Sequence, residues 1–234
     1  MHQPIAFVCA MPMELRPLVK RLGLRKQAIA GMPARVGSLD GQDVVAIVTG
    51  MGTDLATRGT ERLLEATDPQ RVVVVGITGA VENETPIGTL VLPEVVVNSE
   101  TGSEHRPSQI GGGEHTGTMW TTNVITPPVA LPALRARGVV ALDMETAAIA
   151  ACCEARGVPW SVFRAISDRA SDGTIDDEIF GLSHQDGTPN AGAIARYVLR
   201  HPNRIPRMAI LAKGAKLATE RAAGAAIAAV RSIS

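Results

Sequence analysis

Aromatic residues are scarce in this 234-residue chain: two Trp, one Tyr and three Phe make up 3% of it. Its core must therefore be built from Val, Ile, Leu and Ala. Cysteine is as thinly spread. Of three thiols, Cys152 and Cys153 are adjacent and Cys9 lies in an apolar stretch, which provides neither a disulfide framework nor metal-ligand spacing. Buried free thiols in a reducing cytoplasm are the expectation. Neither sign of charge is in excess: 23 Lys and Arg balance 23 Asp and Glu, an argument against a general nucleic-acid binder. No segment reaches the roughly 20 apolar residues that span a bilayer, and the N-terminus lacks a basic region followed by a long apolar run. Internal repeats, low-complexity tracts and linkers are missing too. What remains has ordinary hydrophobic content, 45%, and is long enough for one α/β domain over residues 1–234. A soluble, cytoplasmic protein is expected.

Residues 141–172, ALDMETAAIAACCEARGVPWSVFRAISDRASD, hold the most informative pattern. Asp143 precedes good helix formers over 144–156 and suits a cap, because its side chain accepts orphan backbone N–H groups. Glu145 would then fall in the first helical turn, where the helix dipole favours a carboxylate. Gly157 and Pro159 end the helix. Residues 160–166 (WSVFRAI) read as a buried strand broken only by Ser161 and Arg164. It delivers Ser167 and Asp168 at its C-terminal end, where open α/β sheets bind ligands. Upstream, residues 5–10 (IAFVCA) form another buried strand, and Met11-Pro12-Met13-Glu14-Leu15 follows with Pro12 at a helix first turn. Leu15, Leu18, Val19 and Leu22 recur at helical spacing up to Gly23. On position alone Glu14 is a dipole-stabilising surface residue, and Asp143 and Asp168 are a cap and a loop carboxylate.

The literal strings say more. Asp143-Met144-Glu145 followed by TAAIA, with RAISD ending the next strand, resembles the purine nucleoside phosphorylase/uridine phosphorylase superfamily. Within it the segment most resembles the 5′-methylthioadenosine/S-adenosylhomocysteine nucleosidases, whose strand-to-helix turn Ala10-Met11-Pro12-Met13-Glu14 matches in spacing. The resemblance covers most of residues 4–170, with a gap around 99–125. It implies a three-layer α/β/α sandwich around a central mixed sheet. It implies cleavage of the N-glycosidic bond of a purine nucleoside, a 5′-modified adenosine such as methylthioadenosine or S-adenosylhomocysteine. Under it Asp168 is the general acid that protonates the base and Glu14 is the base that activates water. Glu145 accepts hydrogen bonds from the ribose hydroxyls, Met144 packs under the ribose and Ser167 orients Asp168. A glycine-rich turn at 76–81 (GITGAV) contacts ribose, which adds Thr78 and Gly79. No metal and no organic cofactor is called for. The implied partners are a small nucleoside and a second copy of the chain in a homo-oligomer, a dimer.

The departures are as informative. Val74 and Ile77 stand where the phosphorylases that resemble this stretch place an arginine and a serine. An apolar pair cannot neutralise or hydrogen-bond a phosphate dianion, so water is the expected nucleophile, with Thr78 as substitute for the serine. A phosphate-dependent phosphorylase and a catalytically silent nucleoside-binding protein on the same fold are the alternatives. Residues 99–117 read as a mobile polar loop in which His105 and His115 are solvated. Met119, Trp120, Thr122 and Asn123 occupy the place of the family's adenine-facing aromatic.

Elsewhere, Asp40-Gly41 between 34–39 and 44–49 signals a hairpin. Gly50-Met51-Gly52 opens a helix over about 53–66, 72–75 is a central strand, and 87–93 is a strand that 95–97 continue. Residues 172–186, rich in Asp, read as a solvated acidic lid. From about 189 to 234 the chain is helical, and 196–231 carry eight Lys and Arg against Glu220 alone. Such a helix either packs its alanine-rich face on the domain, the reading preferred here, or makes a peripheral contact with an anionic membrane.

Overall fold

Apolar runs with no polar alternation demand cover on both faces, and the chain begins with one. A computed structural model describes residues 3–170, 178, 181–184, 188 and 190–233. Strand β1 (Ile5–Cys9), buried at every position, leads into helix α1 (Pro12–Leu22). Strands β2 (Arg25–Ile29), β3 (Met32–Leu39) and β4 (Gln42–Val48) form a meander, and α2 (Thr53–Thr67) returns the chain to β5 (Arg71–Ala80). Four short strands follow: β6 (Leu90–Val91), β7 (Val95–Asn98), β8 (Glu104–His105) and β9 (Thr118–Thr121). Then come α3 (Leu131–Ala136), β10 (Val139–Asp143), α4 (Thr146–Ala155) and β11 (Trp160–Arg169). Helices α5 (Ala191–Arg200) and α6 (Ile205–Arg231) end the described chain.

Among the described residues eleven strands make one mixed sheet, ordered β2-β3-β4-β1-β5-β10-β9-β7-β8, with β11 and β6 branching from β5. Strand β5 is the branch point. Along one edge it pairs in parallel with β1 as far as Val74, then antiparallel with β10 at Gly79 and Ala80. Along the other it pairs in parallel with β11 from Val72 to Ala80. The consecutive valines of β5 serve both faces of the sheet. Val72 and Val74 pack with α2 and α4, and Val73 and Val75 with α1 and the C-terminal half of α6. Burying each such side chain contributes roughly 1.5–3 kcal/mol. The three-layer α/β/α sandwich and the aliphatic core are as anticipated.

Several local expectations are corrected. Residues 76–80 are not a turn: they continue β5, because β11 pairs along all of them and β10 takes up Gly79 and Ala80 on the other edge. The expected 87–97 strand is two separate strands, β6 on β11 and β7 between β8 and β9. Strand β2 was not anticipated, being a polar, exposed edge strand without alternation (RKQAI). In the 99–117 segment His105 is not solvated. It pairs within β8, is buried, and its Nδ1 lies 2.7 Å from Glu154 Oε2. Helix α4 starts at Thr146, so Glu145 occupies the cap position rather than the first turn. The expected Asp40-Gly41 hairpin forms, both residues having positive φ (51° and 89°) as the tight turn requires. Most of the proposed acidic lid, including Asp172, Asp176, Asp177 and Asp186, lies outside the described residues.

Candidate active site

Where β1 ends and β5 bends away toward β10, backbone N–H groups lose their ladder partners, and buried donors cannot stay unpaired cheaply. The carboxylate of Glu14 takes them. Its Oε2 accepts from the N–H groups of Ala10 (2.8 Å) and Met11 (2.9 Å), and its Oε1 from that of Ile77 (2.8 Å). Glu14 sits in the first turn of α1, which Pro12 starts, and reaches back over its own cap in the manner of a capping box. It is 1% exposed, so the surface reading that position alone suggested does not hold.

Opposite Gly76 in the β5–β11 register stands Arg164, 2% exposed. Its guanidinium gathers three carboxylates. Nη2 lies 2.7 Å from Asp143 Oδ2 and 3.1 Å from Glu145 Oε2, and Nη1 lies 3.8 Å from Glu14 Oε1. Nη1 also donates to the Ile77 carbonyl (2.8 Å) and Nε to Thr146 Oγ1 (3.2 Å). Gly76 is what makes the approach of Arg164 and Glu14 possible. A Cβ there would collide with Glu14 Oε1 and come within 2.9 Å of Arg164 Nη1.

Asp143 ends β10 and accepts from Thr121 Oγ1 (2.6 Å), from the Thr146 N–H (2.8 Å) and from the Thr146 hydroxyl. Asp143 is not the cap residue expected, since Glu145 holds that position; from two residues further back its side chain accepts the first helical N–H, that of Thr146, and it is also the nearest carboxylate to Arg164. Glu145 divides its oxygens: Oε1 accepts from the Gly52 N–H (3.0 Å) at the start of α2, and Oε2 from Arg164.

Burial drives the electrostatics. It pushes the Glu14 carboxyl above its ordinary value, against the opposing pull of Arg164 and the three N–H donors. Glu145 is pushed up to about 7, first by burial, with Asp143 adding and Arg164 subtracting. For Arg164 burial alone would favour the neutral form, but Asp143, Glu145 and Glu14 more than reverse this and raise it.

Asp168 lies apart from this cluster, on the rim. The β5–β11 register slips between Ile166, opposite Thr78, and Asp168, opposite Gly79, so Ser167 is the extra residue of a β-bulge. Bulges of this kind re-aim a side chain out of the alternating pattern. Ser167 donates to Asp168 Oδ1, and its Oγ also lies 3.3 Å from the Thr78 carbonyl. The Asp168 carboxylate faces Gly79, with Oδ2 in ordinary contact distance (3.4 Å) of where a Cβ would sit. Asp168 is half-buried. Both Ser167 and Asp168 belong to β11 itself rather than to the loop after it.

The structure thus brings Glu14 and Glu145 to one guanidinium and sets Ser167, Asp168 and Gly79 further along the same two strands, β11 and β5. Met144, half-buried, is the residue between Asp143 and Glu145. Thr78 is buried and its hydroxyl donates to the Leu142 carbonyl (2.6 Å), which leaves only lone pairs for another contact. Ile77 contributes its N–H and C=O while its side chain joins the core, and Val74 is wholly in the core. Of the residues near the missing aromatic, Met119 is buried and Asn123 is tied to Thr53 at the start of α2. Trp120 carries Arg137 over its ring at 4.4 Å.

Arg164 is the residue that sequence reasoning passed over. Its signal was present: a lone cation inside an apolar strand must find buried anions. Among the described residues no group of His, Cys, Asp and Glu is arranged to hold a metal ion.

A family profile described as the phosphorylase superfamily matches residues 4–115 and 112–200. The chain is 29% identical over 178 residues to a 5′-methylthioadenosine/S-adenosylhomocysteine nucleosidase of Marinomonas sp., covering 63% of this chain and 77% of that one. It is 28% identical over 199 residues to the nucleosidase of the same name from Geobacillus kaustophilus, covering 71% and 85%. Among solved structures, the Neisseria meningitidis 5′-methylthioadenosine/S-adenosylhomocysteine nucleosidase in complex with methylthio-immucillin-A superposes with a TM-score of 0.74 at 17% identity, covering 98% of this chain and 99% of that one. Futalosine hydrolase of Helicobacter pylori superposes with the same score at 17% identity, covering 98% of each chain. The structural likenesses concern the fold.

Proposed function

Because the chain belongs to the phosphorylase superfamily, we propose that it is a nucleosidase: it hydrolyses the N-glycosidic bond of a purine nucleoside, a 5′-modified adenosine such as methylthioadenosine or S-adenosylhomocysteine. Asp168 protonates the departing base, and a carboxyl on a polar rim beside a serine hydroxyl is suited to hold and deliver that proton. Glu14 takes the proton of the attacking water. Three of its roughly four acceptor positions are filled by backbone N–H groups, which leaves one for water, and burial raises its basicity toward neutral pH. Glu145 keeps unfilled lone pairs on both oxygens for the ribose hydroxyls. Its charge stabilises the cation-like sugar as the bond breaks, following the paired-carboxylate logic of glycoside hydrolysis. Water adds to the anomeric carbon, the base leaves with the proton from Asp168, and Glu14 ends protonated.

The observation that carries hydrolysis over phosphorolysis is the Arg164 cluster. Three carboxyl groups converge on one guanidinium, and every donor of that guanidinium named above points to an oxygen of the protein, which leaves none to neutralise a phosphate. A phosphate dianion would be repelled there, whereas neutral water would not.

Two further readings complete the proposal. A second copy of the chain covers the loop at 124–129, where Val124 and Val129 are 67% and 85% exposed. The three buried free thiols favour a reducing compartment, the cytoplasm. The test is base release from methylthioadenosine, S-adenosylhomocysteine, adenosine, inosine and uridine, with and without phosphate. Adenine release indifferent to phosphate supports the proposal, and strict phosphate dependence makes the protein a phosphorylase. Tight binding without release makes it a nucleoside-binding protein.

A further inference from the structure

The long helix α6 has two unlike halves. Residues 218–230 are sealed against β11, β5 and α1: Ala218, Ala222, Ala223, Ala226 and Val230 are fully buried. Residues 205–217 leave three large apolar side chains exposed, with Met208 and Leu211 half-buried. Ile205 is 45%, Ile210 72% and Leu217 43% exposed, and in the preceding helix α5 Leu199 is 83% exposed. The turn between the two helices is tied back to α5, since Arg204 Nη1 donates to the Tyr197 hydroxyl (3.0 Å) and Tyr197 packs against the His201 ring. The exposed leucine and isoleucines thus flank a turn that is fixed at its α5 side.

Charge separates the halves as well. Residues 191–217 contain Arg196, Arg200, Arg204, Arg207, Lys213 and Lys216 and no Asp or Glu at all. Arg204 is 3.7 Å from Glu178, and Arg207 also has a partner, but Arg196, Arg200, Lys213 and Lys216 are exposed. In a chain of zero formal charge this is a strong local excess. Apolar side chains standing in water among cations fit one kind of surface, the interface of an anionic lipid bilayer, where the rings of charge meet headgroups and the side chains enter the acyl boundary.

The platform also adjoins the candidate site. Ile210, Gly214 and Leu217 recur at i, i+4 and i+7 and so share a helix face. On that face Gly214 lies so close to β11 that a Cβ would come within 2.6 Å of the Ser167 carbonyl oxygen. Leu217 packs against Gly88, where a Cβ would lie 3.0 Å from its Cδ2. One turn beyond Gly214, the same face ends in the exposed Ile210. We propose that α5 and residues 205–217 of α6 form a docking surface for an anionic membrane, which holds the rim of the site at the lipid–water interface.

Co-sedimentation of the intact chain with vesicles tests this without any turnover, so it stands or falls apart from the nucleosidase reading. Partition into phosphatidylcholine vesicles containing phosphatidylglycerol is expected to exceed that into phosphatidylcholine alone by about tenfold or more, and to fall with salt. Lys213→Gln and Lys216→Gln should each weaken it about fivefold. Leu199→Gln with Ile210→Gln should abolish it while leaving the circular dichroism spectrum and the release of base from a small soluble nucleoside unchanged. Equal partition into both vesicle types, or none into either, overturns the proposal. So does a wild-type dimer, seen by light scattering, that the Leu199→Gln/Ile210→Gln chain cannot form, since a second copy would then be the occupant.

Discussion

The two ends of the candidate site are built on opposite principles. At one end Glu14, Asp143 and Glu145 surround Arg164 deep in the molecule, each group under a tenth exposed and each fixed by backbone N–H groups or hydroxyls. At the other, Asp168 sits half-buried on a bulge beside a serine hydroxyl. The buried end is over-determined: the same contacts that position Glu14 also close the gap where β1 and β5 part. Asp168 is less enclosed, and under the proposed mechanism its carboxyl therefore keeps a route by which to pass a proton to the base. Contacts over-determine the geometry at the buried end, while the half-buried end has fewer named partners. Substitutions at the two ends should therefore separate stability from turnover.

The largest effect is expected from Arg164→Leu. It leaves three buried carboxylates without their cation and should lower unfolding stability by about 3–5 kcal/mol, read by denaturant titration. A loss confined to turnover, with stability intact, would show that the cluster is not structural. Next, Asp168→Asn should lower base release by roughly 10²-fold or more, about 2.7 kcal/mol of barrier, while the melting temperature stays put. A comparable fall in melting temperature would move Asp168 into the structural class. Third, Gly76→Ala inserts a methyl group between Glu14 and Arg164 and should destabilise by about 2 kcal/mol, the usual scale of overpacking. An unaffected melt would mean that β5 shifts freely away from β11.

The smallest effect is a pH slope. Glu145 is raised from 4.5 to about 7 in the fold, so between those values the folded chain holds a proton that the unfolded chain has lost. Its contribution to stability is complete below about pH 4.5 and is lost as pH rises through 7, at up to about 1.4 kcal/mol per pH unit. Glu145→Gln should flatten this slope in urea melts taken at successive pH values. A slope that survives the substitution belongs to another group.

How much of this was legible beforehand differs element by element. Strands β1, β5 and β11 announced themselves as apolar runs, α1 by its Pro12 start and 3.6-residue period, and the β3–β4 turn by Asp40-Gly41. Glu14, Glu145, Ser167 and Asp168 were found through linked motifs rather than through physics, because a lone acid at a strand end looks like any cap. Strand β2 was illegible since edge strands need no apolar face. The burial of His105 was equally hidden, as it depends on Glu154, 49 residues away. In sequence the C-terminal stretch is uniformly helical, and only its packing shows that it changes character near residue 218.

The order of residues by itself determined the layered aliphatic sandwich, because runs of Val, Ile and Ala cannot remain in water and have few rings to pack around. It also determined which acids were available. The tertiary structure alone decided that three of those acids share one arginine, and that a bulge at Ser167 turns a fourth to the rim. It decided as well that one helix is core at one end and bare at the other. Each of these depends on residues distant in sequence meeting where strands diverge, and no local pattern encodes where two strands will part.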